Sequence, residues 1–139
     1  MSNKLHIVSF DVPYPTNYGG VIDVFYKIRA LHSVGVDIHL HVFEYGKGEQ
    51  KELLKYCEKV FYYKRNSFIK SLLSKTPFIV KSRGNDLLVA NLTKDSYPIL
   101  FEGLHTTLTA LEDRLKGKKI YIRAHNIEHR FYKGLEKSE

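Results

Sequence analysis

The sequence predicts an α/β fold, an open and mostly parallel sheet with helices on both faces. Three features predict it: short apolar runs recur along the chain, stretches with apolar residues spaced by three and four separate them, and glycine or proline marks the joins. Strands that alternate with helices at this interval require right-handed crossovers, and such crossovers make neighbouring strands parallel.

The elements follow in order. "LHIVSF" (5–10) is an apolar run of strand length. Residues 21–34 place Val21, Val24, Phe25, Ile28 and Leu31 on one helical face, and Gly35 ends that helix. "VDIHLHVF" (36–43) alternates Val36, Ile38, Leu40 and Val42 with Asp37, His39 and His41, the period of a strand with one partly exposed face. A helix is expected around 49–57, then a short strand "KVFYYK" (59–64). "SFIKSLLSK" (67–75) is a short helical stretch before Pro77, and 82–92 is another. "YPILFEG" (97–103) and "KKIYIRAH" (118–125) are strands four and five, on either side of a helical stretch over 106–115. The result is a Rossmann-like sheet, in which ligands bind beyond the carboxyl ends of the strands.

Composition narrows the function classes. The chain has 139 residues, enough for one domain, with 43% hydrophobic and 27% charged residues, as in an ordinary globular fold. A single cysteine, Cys57, excludes a disulfide framework and is expected to pack as a small apolar residue at a helix end. The opening run is too short and polar for a signal peptide, and no stretch reaches the ~18 apolar residues of a membrane span. A cytoplasmic location is expected. The formal charge of +7 and pI near 9.4 favour an anionic partner. Zinc-finger spacing and the RNP signature are both absent, so no nucleic-acid partner is expected. "YYKRNSFIKSLLSKTPFIVK" (62–81) mixes Phe68, Ile69, Leu72 and Leu73 with Lys64, Arg65, Lys70 and Lys75. It suits either an anionic membrane surface, with snorkelling lysines, or a helix packed on the sheet with its lysines in water.

Three loops fall at the carboxyl ends of strands. Residues 11–20, "DVPYPTNYGG", form a longer connection than the roughly two to six residues a strand-to-helix join needs. Gly19 and Gly20 open the helix, where unpaired backbone N–H groups suit a phosphate or carboxylate; the alternative is a turn that needs glycine. Neither the dinucleotide fingerprint nor a P-loop is present. "FEGLHT" places Glu102 and His105 after strand four, a carboxylate and an imidazole suited to acid-base work or to a hydroxylated ligand. "IRAHNIEH" brings Arg123, His125 and Asn126 after strand five. His125, Glu128 and His129 spell H-x-x-E-H, a zinc-protease pattern, but the ten residues that follow leave little room for a third ligand. No metal is expected, and Asn126 reads as the N-cap of a terminal helix. His6 and His32 have no partner that the sequence identifies.

Together "PYPTNYGG" with its helix, "LHSVGVDIHLHVF", "FEGLHT" and "IRAHNIEH" resemble the N-terminal domain of a GT-B fold glycosyltransferase of the bacterial group 1 and family 4-like type. The resemblance spans nearly the whole chain. It implies transfer of a sugar from a nucleotide-sugar donor to a glycan or lipid-linked acceptor, with no further cofactor, and it places the proline-glycine loop on the wall of an interdomain cleft. It implies that His125 faces the acceptor, to orient a hydroxyl or accept its proton. Glu102, His105 and Asn126 then help bind substrate, Gly19 and Gly20 approach phosphate, and Arg123 either balances its charge or, at a strand end, enters a structural ion pair. The donor domain would lie in a second half that the 139 residues do not encode, so the chain is expected to be a single acceptor-side domain, 1–139, inactive alone. A peripheral position at the inner membrane face is compatible with such a role. The alternative is a noncatalytic binding module for an anionic sugar or nucleotide.

Overall fold

A computed structural model describes residues 3–44, 46–64, 86–103, 106–110 and 112–123. Strand β1 is Lys4–Ser9, helix α1 Gly19–Ser33, β2 Asp37–Glu44 and β3 Lys59–Lys64, with a 3-10 turn at Lys51–Lys55 between the last two. Helix α2 is Asp86–Leu92, β4 Ile99–Glu102, α3 Thr107–Ala110 and β5 Ile120–Arg123, the last preceded by a 3-10 turn at Asp113–Leu115. The strand order is β3-β2-β1-β4-β5 and every pair is parallel. The expected Rossmann-like α/β sheet is therefore present.

Each face of the sheet builds its own core, because successive side chains on a strand point to opposite sides. On one side Ile7, Ile38, Leu40 and Val42 meet Val24, Phe25 and Ile28 of α1, with Leu53 and Cys57 completing the cluster. On the other, Val8, Phe43, Tyr63, Ile99 and Phe101 meet Leu88, Val89 and Leu92 of α2. Burying each large apolar side chain stabilises the fold by roughly 1.5–3 kcal/mol. The face of α1 that the spacing predicts is the one buried, through Val21, Val24, Phe25 and Ile28. Gly35, at φ +88°, turns the chain off that helix, its N–H bonding to the His32 carbonyl and the Val36 N–H to that of Leu31.

Several boundaries differ from the sequence reading. The helix expected around 49–57 is a five-residue 3-10 turn, because Gln50 is extended and gives its N–H to the Tyr62 hydroxyl at 2.9 Å. The helical stretch over 106–115 breaks at Glu112, which takes extended backbone (φ −65°, ψ 130°). The short helix at 67–75 and nearly all of the basic segment 62–81 lie outside the described residues. Among the described residues no helix is long and apolar enough to cross a membrane.

Candidate functional site

Of the residues singled out from the sequence, Gly19, Gly20, Glu102 and Arg123 lie toward the carboxyl ends of β1, β4 and β5. The loop after β1 is long because it is internally built. Asp11 is nearly buried, and its carboxylate accepts the Val12 N–H and the Tyr18 O–H, each at 2.7 Å. Lys47, from the loop after β2, ion-pairs with the same carboxylate at 3.3 Å and donates to the Val12 carbonyl at 2.9 Å. Glu44, at the end of β2, accepts the N–H groups of Gly46 and Gly48, and these bonds lower its pKa. Two loops are thus locked together around one buried carboxylate.

Gly19 and Gly20 occupy the first turn of α1 but meet different surroundings. Around Gly19 nothing would obstruct a side chain within 4 Å. A Cβ on Gly20 would stand 2.8 Å from Cζ of Phe10 and 3.4 Å from Cε2 of Tyr18. Gly20 therefore answers at least one structural demand, close approach of the Phe10 ring, and it does so at a backbone that is helical rather than left-handed.

Glu102 is fully buried and ion-pairs with Lys27 of α1, whose ammonium also lies 3.7 Å from Asp23 one turn earlier. Arg123, at the end of β5, donates to Asp23 at 3.2 Å. Glu102, Lys27, Asp23 and Arg123 thus form a line of alternating charge that ties α1 to β4 and β5. Glu102 is fully buried, so its part in the site runs through the groups it holds, Lys27 among them. His105, His125 and Asn126 lie outside the described residues. Asp11, Lys47, Lys27 and Asp23 were not singled out from the sequence; the available signal was an acid directly after strand one and a lysine between glycines after strand two.

A second polar cluster lies on the α2 face, where the sequence reading requires correction. His39 and His41 do not sit on a partly exposed strand face: they are 7% and 0% exposed, because α2 and the chain leading into β4 cover that side. His6, without a partner in the sequence reading, has two. Its Nδ1 lies 2.9 Å from Nε2 of His41 and its Nε2 lies 2.8 Å from Oδ1 of Asp95. His41 Nδ1 in turn meets the Tyr63 hydroxyl at 2.8 Å, and that oxygen accepts from Asn91 Nδ2 at 2.9 Å. Burial pushes the His6 and His41 pKa values down, His41 far down. Burial opposes the Asp95 charge, but bonds from His6 and from the Tyr97 N–H outweigh it, and the Asp95 pKa is lowered. With neutral rings and an ionised Asp95, one proton arrangement fits: Asn91 to Tyr63, Tyr63 to His41, His41 to His6, His6 to Asp95. His39 stands beside this chain, its ring 5.3 Å from that of His6 and its Nε2 3.2 Å from Glu58. His32 is exposed at the end of α1, its ring 5.8 Å from that of Tyr56.

No protein-family model matches the chain, and no solved structure matches it. The chain is similar to a protein of Klebsiella pneumoniae described as an uncharacterized 44.6 kDa protein in cps region, with 32% identity over 143 aligned residues. That alignment takes in 98% of this chain and 37% of the Klebsiella protein, so the chain spans little more than a third of its relative's length.

Proposed function

We propose that the chain is the N-terminal, acceptor-side domain of a two-domain GT-B glycosyltransferase of capsule polysaccharide synthesis. The observation that carries this reading is the similarity, over nearly all of this chain, to a protein in a cps region. The parallel sheet in the order β3-β2-β1-β4-β5 supports it, because such sheets bind ligands beyond their carboxyl ends, where the built loop after β1 and the α1 charge line both lie.

In this reading the α1 amino terminus at Gly19 and Gly20 faces donor phosphate, where backbone N–H groups and the helix dipole favour negative charge. Arg123 adds positive charge beside it. Lys27, held by Glu102 and Asp23, fixes α1 against the end of β4 in the cleft wall. His125 orients the acceptor hydroxyl or takes its proton, an imidazole being suited to both near neutral pH. His105 and Asn126 contact the acceptor. Catalysis is by positioning, with the nucleotide-sugar donor and the glycan or lipid-linked acceptor held together between two domains. The basic segment 62–81 then rests on the anionic inner membrane surface, near a lipid-linked acceptor.

The test of these roles is His125→Ala in the full-length protein, with sugar transfer measured from a panel of nucleotide-sugars. The expected result is a folded variant whose transfer rate falls by about 100-fold or more, the range in which a positioned acid-base group contributes. An unchanged rate and acceptor affinity removes His125 from the site. A second reading, a noncatalytic module binding an anionic sugar or nucleotide, draws on the formal charge of +7, which favours an anionic partner. It is distinguished by saturable binding of a nucleotide-sugar to the 139-residue chain without turnover in the full-length protein.

A further inference from the structure

We propose that His6, His39 and Asp95 bind a divalent transition-metal ion of the zinc class. The three residues come from β1, β2 and the connection between α2 and β4, and each offers one ligand atom within 4.8 Å of the other two. Zinc takes imidazole nitrogen and carboxylate oxygen at about 2.0–2.2 Å, so tetrahedral ligands stand roughly 3.4 Å apart. The 2.8 Å between His6 Nε2 and Asp95 Oδ1 opens slightly and the longer separations close, both within reach of side-chain rotation. His6 and His39 are register partners on adjacent strands, which fixes their spacing through the backbone. Two imidazoles and one carboxylate form the ligand set that suits borderline metals, and Asp95, with 22% of its side chain exposed, keeps the site in contact with solvent.

The surrounding groups serve such an ion. A ligating histidine needs a partner for its other nitrogen. His39 has Glu58 at Nε2, which leaves the Nδ1 lone pair for the metal. When His6 ligates through Nε2, its proton moves to Nδ1 and is given to His41 Nε2. His41 then donates from Nδ1 to the Tyr63 oxygen, and the Tyr63 O–H turns to the Asn91 carbonyl oxygen after an amide flip. The hydrogen bonds from His6 to Asn91 then run in the opposite direction. Asp95 Oδ1 also accepts the Tyr97 N–H at 3.0 Å and lies 3.5 Å from Lys118, and as that oxygen turns to the ion Lys118 keeps its bond to the Asp95 backbone carbonyl. Tyr97 closes the site, its ring 5.8 Å from His6 and 5.7 Å from His39.

The test is calorimetric titration of the EDTA-treated 139-residue chain with zinc, followed by cobalt substitution. One equivalent is expected to bind at micromolar affinity or better. Asp95→Asn and His39→Gln should each weaken it by more than about 10-fold, the loss that even an outer-shell change brings. A His125→Ala/His129→Ala variant should bind unchanged. Histidine side-chain nitrogen NMR of the unaltered chain provides a readout that needs no folded variant: one equivalent of zinc should shift the His6 and His39 ring signals. No zinc binding, binding lost in His125→Ala/His129→Ala, or saturation with the His6 and His39 signals unmoved overturns the proposal.

Discussion

Replacing Tyr63 by Phe deletes one oxygen from the middle of the buried chain and leaves its shape. Tyr63 is 3% exposed, and its oxygen serves both His41 Nδ1 at 2.8 Å and Asn91 Nδ2 at 2.9 Å. The ring remains against Phe43 and Leu88, so no cavity opens. The cost is two stranded polar groups, each worth about 1–3 kcal/mol when buried without a partner. A loss of about 2–4 kcal/mol is expected after partial relaxation, a large part of the roughly 5–15 kcal/mol that a domain has. Urea unfolding of the 139-residue chain in EDTA should show a lower midpoint at unchanged slope. Asn91→Leu removes the second donor, so the double variant should lose less than the sum of the two single losses by at least about 0.5 kcal/mol. A Tyr63→Phe loss below about 0.5 kcal/mol, or strict additivity, refutes the hydrogen-bonded chain.

Four further outcomes are expected. Burial pushes the Tyr63 phenol up to about 12, so between pH 10 and 12 the unfolded state loses this proton first; stability should fall with rising pH by up to about 1.4 kcal/mol per unit, and Tyr63→Phe should abolish that component in alkaline denaturation curves. Gly19→Ala should stabilise by about 0.4–1 kcal/mol and Gly20→Ala by less, because its Cβ meets Cζ of Phe10 at 2.8 Å and the ring must shift; thermal melts of the pair read the difference. Lys27→Met removes the cation paired with the buried Glu102 carboxylate and should lower the urea midpoint, whereas Lys27→Met/Glu102→Met should recover part of that loss. Burial pushes the Cys57 thiol up to about 12, so Ellman's reagent at pH 8 should leave it unreacted in the native chain and label it in denaturant.

The strands and α1 were legible because their signals are local. The spacing of Val21, Val24, Phe25 and Ile28 marks one helix face whatever that helix packs on. The histidine cluster was hidden for two physical reasons. A parallel sheet buries both faces, so His39 and His41 alternating with Ile38, Leu40 and Val42 imitate a half-exposed strand while standing in a second core. Their partners are also set by topology: β1 delivers His6, β3 Tyr63, and the chain before β4 Asp95. The loop after β1 was legible as unusual from its length, and its dependence on Lys47, 36 residues beyond Asp11, was not.

The most direct test of the proposed glycosyltransferase role is radiolabelled sugar transfer from UDP-, GDP- and dTDP-sugars into a bacterial lipid and glycan extract, with the full-length protein and the 139-residue chain assayed side by side. Donor and acceptor must be held together, so the account predicts transfer by the full-length protein from at least one donor and none by the isolated chain. Transfer by the isolated chain, or no transfer from any donor by the full-length protein, contradicts it.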